Sequence, residues 1–362
     1  MAYAKRFASK VQDVKHASRI LLPGQRATRP PSVASASNKL QQLVQFKLRS
    51  GVAPLPPWLQ AALKNEIRTC SPAQLAQQAR ALGHLGGQAS RGLLAHVVAR
   101  VHAAGSWGLH PPAVAAVAWA AAKLRCHNEF PAPAAATCLR MMQPRDLSNT
   151  LWAAATLRRV EPLAVPLDAA AVSCWSPRDV AATAWAYAAA ACHPDRRALE
   201  GLRRAALRGA GDASSQDLSN SLWALATLRA GGGCEALVED GRAASLHGQA
   251  ATNAMWALAT LCQPGQLASI ADAALTPASG SKAALLLRPQ ELANGVWALA
   301  TGGVHHTAFF DLAKERLLAA SALQELATQN PSGGLLANTV WAFSLAGRLL
   351  GRRAGDCSFL VA

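Results

Sequence analysis

Apolar residues along most of this chain recur at intervals of three and four, the spacing of one face of an α-helix. One arrangement of them returns throughout. Seven segments align on a tryptophan: HPPAVAAVAWAAAKL at 110–124, QPRDLSNTLWAAATL at 143–157, SPRDVAATAWAYAAA at 176–190, SSQDLSNSLWALATL at 214–228, HGQAATNAMWALATL at 247–261, RPQELANGVWALATG at 288–302 and LLANTVWAFSLAG at 335–347. An eighth, SPAQLAQQARALGHL at 71–85, fits with Arg80 in the tryptophan's place. The tryptophans stand 33, 33, 38, 33, 41 and 44 residues apart. Self-similarity at such a period marks stacked units, none of which can bury its apolar face alone.

Each copy predicts one helix. Placed at 100° per residue, the 143–157 copy puts Leu147, Leu151, Ala154 and Ala155 on one face, with Leu157 and Trp152 on its flanks. Asn149, Thr156, Ala153 and Arg145 fall on the other side. Ser176, Pro177 and Asp179 supply an N-cap, a proline at the first helical position and an acid near the positive end of the helix dipole. Ser71-Pro72 and Ser214 to Asp217 repeat parts of that grammar. Second helices are clearest at 195–208 and 308–320. Alanine, the best helix former, dominates, and strand alternation is scarce. The expected fold is an all-α, right-handed-type helical-repeat solenoid of about eight helix-turn-helix units over 71–347, preceded by capping helices over 38–70.

Comparing the copies separates a frame from positions that vary. Alanine follows the anchor at 120, 153, 186, 224, 257, 298 and 342, a small residue beside a large ring, as close helix packing requires. The anchor itself is expected in the core, with a stacking platform for bases as the alternative. Asparagine stands three residues before the anchor at Asn149, Asn220, Asn253, Asn294 and Asn338. These amides are expected either to form an inter-repeat hydrogen-bond ladder, the preferred account, or to contact the phosphates of a ligand. Copies 110–124 and 176–190 carry Ala116 and Ala182 there. Candidate base-reading residues lie four after the anchor (His84, Lys123, Thr156, Thr227, Thr260 and Thr301) and two before it (Thr150 and Ser221). Arg145 and Arg178 in first helical turns, with Arg203, Arg204 and Arg208 in a second helix, are candidate phosphate contacts.

Charge sharpens the picture. The chain carries a formal +16, from 36 Lys and Arg against 20 Asp and Glu. Residues 1–50 hold ten of those bases and one acid, Asp13. In that leg Phe7, Val11 and Val14 share a helical face among Lys5, Arg6, Lys10 and Lys15, ahead of Pro30-Pro31. Residues 1–37 therefore read as an organellar transit peptide, mitochondrial ahead of plastid, with a disordered nucleic-acid-binding arm as the alternative. Eight scattered cysteines without a Cys-x-x-Cys read as reduced, mostly buried thiols. No metal site, cofactor or catalytic constellation is expected: there is no phosphate loop, no His-Glu-x-x-His and no Gly-x-Ser-x-Gly. The Gly231-Gly232-Gly233 run is a loop between helices. No uncharged apolar run is long enough to span a membrane.

The pattern x-Pro-x-Asp/Glu-Leu-Ser/Ala-Asn-x-x-Trp-Ala-x-Ala-Thr-Leu, closest at 143–157, 214–228 and 288–302, resembles the octotricopeptide repeat. More broadly it is similar to the FAST-kinase-like and RAP-domain group of organellar RNA proteins. The resemblance covers about 71–347 and implies a non-enzymatic protein that binds single-stranded RNA in processing, stability or translation, alongside organellar RNA-processing or ribosomal proteins. Many relatives end in a RAP domain, for which this sequence leaves no room after Phe343; a short basic tail over 348–362 with Arg348, Arg352 and Arg353 stands there, and a short form or a fragment of a longer protein is expected. The alternative is a protein–protein scaffold, since stacked helical repeats offer extended concave surfaces to peptides as well.

Overall fold

In a computed structural model the chain is all-α, with seventeen α-helices and no strand among the described residues. Those residues are 34–50, 55–103, 110–239, 241–275, 287–317, 319–329 and 333–349. The amphipathic segment around Phe7, Val11 and Val14, and the tail arginines Arg352 and Arg353, lie outside them. Two compact units divide the chain, Met1–Val165 and Pro166–Ala362.

The first unit runs α1 (Ala34–Ser50), α2 (Pro57–Ile67), α3 (Pro72–Leu85), α4 (Gly87–Ala103), α5 (Pro111–Leu124), α6 (Ala132–Cys138) and α7 (Pro144–Thr156). The repeat helices α3, α5 and α7 pack side by side in sequence order, with α4 and α6 behind them. Helices α1 and α2 extend the stack, as expected of a cap, but α1 begins at Ala34 rather than 38. Ala36 is buried, and the Ser37 hydroxyl donates to Glu66 Oε1 at 2.5 Å and accepts from Gln78 Nε2 at 3.0 Å. Residues 36 and 37 therefore pack with the first unit.

The second unit runs α8 (Ala169–Val172), α9 (Pro177–Ala189), α10 (Arg196–Arg208), α11 (Ser215–Thr227), α12 (Gly248–Thr260), α13 (Leu267–Leu275), α14 (Pro289–Thr301), α15 (Thr307–Leu317), α16 (Ala320–Gln329) and α17 (Gly334–Leu349). Here α9, α11, α12, α14 and α17 are the repeat helices, again packed in order. The layer behind them is less regular than a uniform helix-turn-helix unit. It holds full helices at α10 and α15, but between α11 and α12 only two 3₁₀ turns, Cys234–Leu237 and Arg242–Ser245. The glycines at 231–233 and 241 account for that difference, because glycine is the costliest ordinary residue to fix in a helix.

Both ends of the repeat helix are closed locally. Ser71 accepts from the Gln74 N–H while Gln74 Oε1 accepts from the Ser71 N–H, a capping box repeated by Ser214 with Asp217. Six residues after the anchor the chain turns left-handed, at Arg125 (φ 55°), Arg158 (55°), Ala191 (52°), Arg229 (54°), Cys262 (56°) and Gly303 (66°). The next N–H then reaches back five residues, as from Cys126 to Ala121 O at 2.9 Å and from Arg159 to Ala154 O at 2.8 Å. This is the Schellman closure of a helix C-terminus.

Side-by-side stacking buries three sides of each repeat helix. The alanine after the anchor is wholly inaccessible in all seven copies, at 0% exposure. The residue before the anchor is equally buried at Leu151, Leu222, Met255 and Val296. Ala153, which the wheel places opposite the apolar face, is thus a core residue. It meets a flanking repeat helix, and only a residue this small lets the two backbones approach.

Candidate functional site

Burial on three sides leaves one narrow strip of each repeat helix facing outward. It comprises the positions three before the anchor, the anchor, and four after it, which share a face because helical residues three, four and seven apart do. In the second unit the strip reads Asn220–Trp223–Thr227, Asn253–Trp256–Thr260 and Asn294–Trp297–Thr301. In the first unit it reads Asn149–Trp152–Thr156 and Gln77–Arg80–His84, and in α5 only Trp119 and Lys123, since Ala116 there is buried.

The anchor is not the core residue that the pattern suggested. Trp119, Trp152, Trp185, Trp223, Trp256 and Trp297 are half-buried, and Trp341 is 47% exposed. Two pairs of these rings meet along the strip of the second unit. The Trp185 and Trp223 centroids are 6.4 Å apart, and those of Trp256 and Trp297 are 6.3 Å apart with 29° between the planes. Each indole keeps part of its surface accessible, as an aromatic ring must in order to stack on a planar ligand.

The asparagines are not a ladder either. Asn149, Asn220, Asn253 and Asn294 are half-buried and Asn338 exposed, and no side-chain amide among them makes a hydrogen bond to a described residue. Each amide offers two donors and one acceptor beside the indole. The repeat helices are too far apart at the strip for one short amide to span to the next.

The positions two before the anchor leave the surface altogether. Thr150 is 0% and Ser221 5% exposed, because they face a flanking helix and not solvent. Thr150 donates to Asp146 O at 2.8 Å. Neither residue reads a base. Four after the anchor, His84, Lys123, Thr260 and Thr301 are exposed, and Thr156 and Thr227 half-buried. Thr156, Thr227 and Thr260 each donate to the carbonyl of their own tryptophan at 2.8 Å, the usual back-bond of a helical threonine. These three therefore present the same methyl surface and do not distinguish one base from another.

Among the basic candidates, Arg145 and Arg178 are exposed with no hydrogen bond to a described residue. The arginines of α10 are committed elsewhere. Arg203 donates twice to Glu200, each at 2.8 Å, and also to Gly232 O. Arg204 donates to Glu200 at 2.7 Å, and Arg208 to Ser173 O at 3.4 Å. The two guanidiniums hold the Glu200 carboxyl down at about 2, so the acid stays ionised and keeps both arginines. Arg203 is a structural brace and not a phosphate contact.

In the first unit the strip is cationic. Lys123 Nζ lies 5.8 Å from the Trp119 ring centroid and 6.0 Å from that of Trp152, between two indole faces. His84 leans on Trp119 with centroids 4.9 Å apart. Burial, then the charges of Lys123 and Lys47, push the His84 imidazole below its ordinary pKa and keep it neutral. Gly83 makes room for this: a Cβ there would lie 2.7 Å from Trp119 Cζ3. Lys47 closes the end of α3, donating to His84 O at 3.0 Å.

Burial raises the thiols of Cys70, Cys126 and Cys138, and that of Cys234 to about 11, so none of these is a ready nucleophile. Cys174 and Cys262 are exposed, and Cys357 lies outside the described residues. Among the described residues no three His, Cys, Asp or Glu gather as metal ligands, and no helix is long and apolar enough to cross a membrane. Sequence comparison of the copies passed over the residue six after the anchor, where Arg125, Arg158 and Arg229 stand exposed on the left-handed turn. No protein-family model matches this chain, and no curated protein matches it.

Proposed function

We propose that this protein binds single-stranded RNA through the outward strips of its repeat helices and acts in post-transcriptional RNA processing, stability or translation, as the octotricopeptide-like pattern implies. The observation that carries this reading is the recurring half-exposed indole beside an asparagine amide with no partner. A ring face accepts any base, and an amide satisfies a base edge or a phosphate oxygen. No chemical step is assigned to the strip, which holds no nucleophile or acid–base pair.

Measuring the full chain against a randomised single-stranded RNA library at two salt concentrations tests the proposal. Binding is expected, weaker at high salt, with sequence preference confined to a few positions. Absence of binding at both concentrations defeats it. The second reading, a scaffold for an extended peptide, is favoured by Lys123, whose ammonium already sits between two indoles as a basic peptide side chain would. Recovery of peptide ligands alone would install that reading.

The proposed site of action is an organelle, the mitochondrion ahead of the plastid. Residues 1–37, fused to a reporter, are expected to deliver it there, and a reporter left in the cytosol or nucleus would refute the targeting reading.

A further inference from the structure

Arginine occupies a left-handed position here that glycine would adopt more readily. The left-handed conformation six residues after the anchor is a strained one for any residue with a Cβ. At the corresponding turn after α14 the chain uses Gly303, and after α9 and α12 it uses Ala191 and Cys262. After α5 and α7 it uses Arg125 and Arg158. Both arginines are exposed, and neither makes a hydrogen bond or an ion pair with a described residue. They hold equivalent places on adjacent packed helices, so their backbones stand roughly 8–10 Å apart.

Charge is segregated in the same direction. Residues 51–165 hold eleven basic and four acidic side chains, whereas residues 166–362 hold fifteen of each. In the second unit acids and bases pair, as Glu200 does with Arg203 and Arg204 and Glu291 with Arg288. The first unit therefore carries an unneutralised positive excess, and Arg125 and Arg158 follow directly on the strip that ends at Lys123 and Thr156.

We infer that Arg125 and Arg158 are the phosphate-contacting pair of the first unit, binding the backbone of the RNA strand whose bases meet the Trp119–Lys123 and Trp152–Thr156 strips. This rests on the RNA reading above. It places the electrostatic, sequence-independent share of affinity in the first unit and removes it from α10.

The left-handed turn supplies a clean test, because glycine is the residue it favours. The double variant Arg125→Gly/Arg158→Gly is expected to unfold at the same or a higher denaturant concentration than the parent. Its affinity for a single-stranded 12-mer RNA is expected to fall, and its log–log salt slope to flatten by about 1.4, two single-strand phosphate contacts' worth. An unchanged affinity and slope would overturn the assignment. The parent and variant are measured in parallel with inorganic polyphosphate. If the parent binds polyphosphate but not RNA and the variant binds neither, the arginine pair stands and the RNA reading falls. A parent that binds neither polyanion overturns both.

Discussion

Leu222→Ala and Trp223→Ala, neighbours in the sequence, are expected to fail in opposite ways. Leu222 is wholly buried between the stacked helices, so truncating it should lower stability by about 2–5 kcal/mol, the cost of lost burial plus a cavity. A urea titration reads this as a lower midpoint with an unchanged slope. Surviving folded protein should bind RNA as the parent does. Trp223 lies half-exposed on the strip, so less buried surface is lost and the stability change should be clearly smaller than for Leu222. RNA affinity, however, should fall by about 1–3 kcal/mol, the worth of one base stacked on an aromatic ring. Equal destabilisation by the two variants would return the anchor to the core. Unchanged RNA affinity of Trp223→Ala would remove it from the interface.

A glycine pair yields the second large effect, and its sign separates helix propensity from packing. Gly295 lies inside α14, where alanine is intrinsically better by about 1 kcal/mol. A Cβ at 295 would stand 2.3 Å from Phe309 Cζ, and that ring is 0% exposed with nowhere to go. Overpacking of this kind costs about 1–3 kcal/mol, so Gly295→Ala should destabilise despite its favourable propensity. Gly83→Ala meets Trp119 Cζ3 at 2.7 Å, but Trp119 is half-exposed and free to swing outward. Stability should hold or rise there, while the Trp119 indole N–H resonance shifts as the ring leaves His84 and Lys123. A stabilised Gly295→Ala would show that α14 and α15 do not pack as described.

Much of this architecture is legible in one chain without relatives, because the copies serve as each other's alignment. The recurring tryptophan located seven repeat helices and the pattern around Arg80 the eighth, and Ser71, Ser176 and Ser214 marked the starts of three, where each hydroxyl accepts a backbone N–H. Caps are local chemistry within four residues, so sequence specifies them directly. The irregular layer behind the repeat helices was less legible, since the stretch between α11 and α12 lacks the copies that revealed the rest.

What the sequence determined by itself, then, is the repeat, the helices and their caps, together with the identity of the three positions Asn149, Trp152 and Thr156 and their counterparts. Which of those positions faces outward was decided by tertiary structure. A helical wheel assumes one buried face, and by that rule Trp152 sits at the edge of the core and Ala153 and Thr150 on or near the open side. A repeat helix with a like neighbour on each flank and a second layer behind buries three sides. Ala153 and Thr150 are then inside at 0% exposure, and the large ring is left half outside because no flank only one alanine deep has room for it. The turn under Arg125 and Arg158 was likewise invisible in composition, since an exposed arginine looks alike everywhere until the backbone beneath it is seen to turn left-handed. Local preference chooses the helix, but only the packing of helix against helix chooses the face it keeps for a ligand.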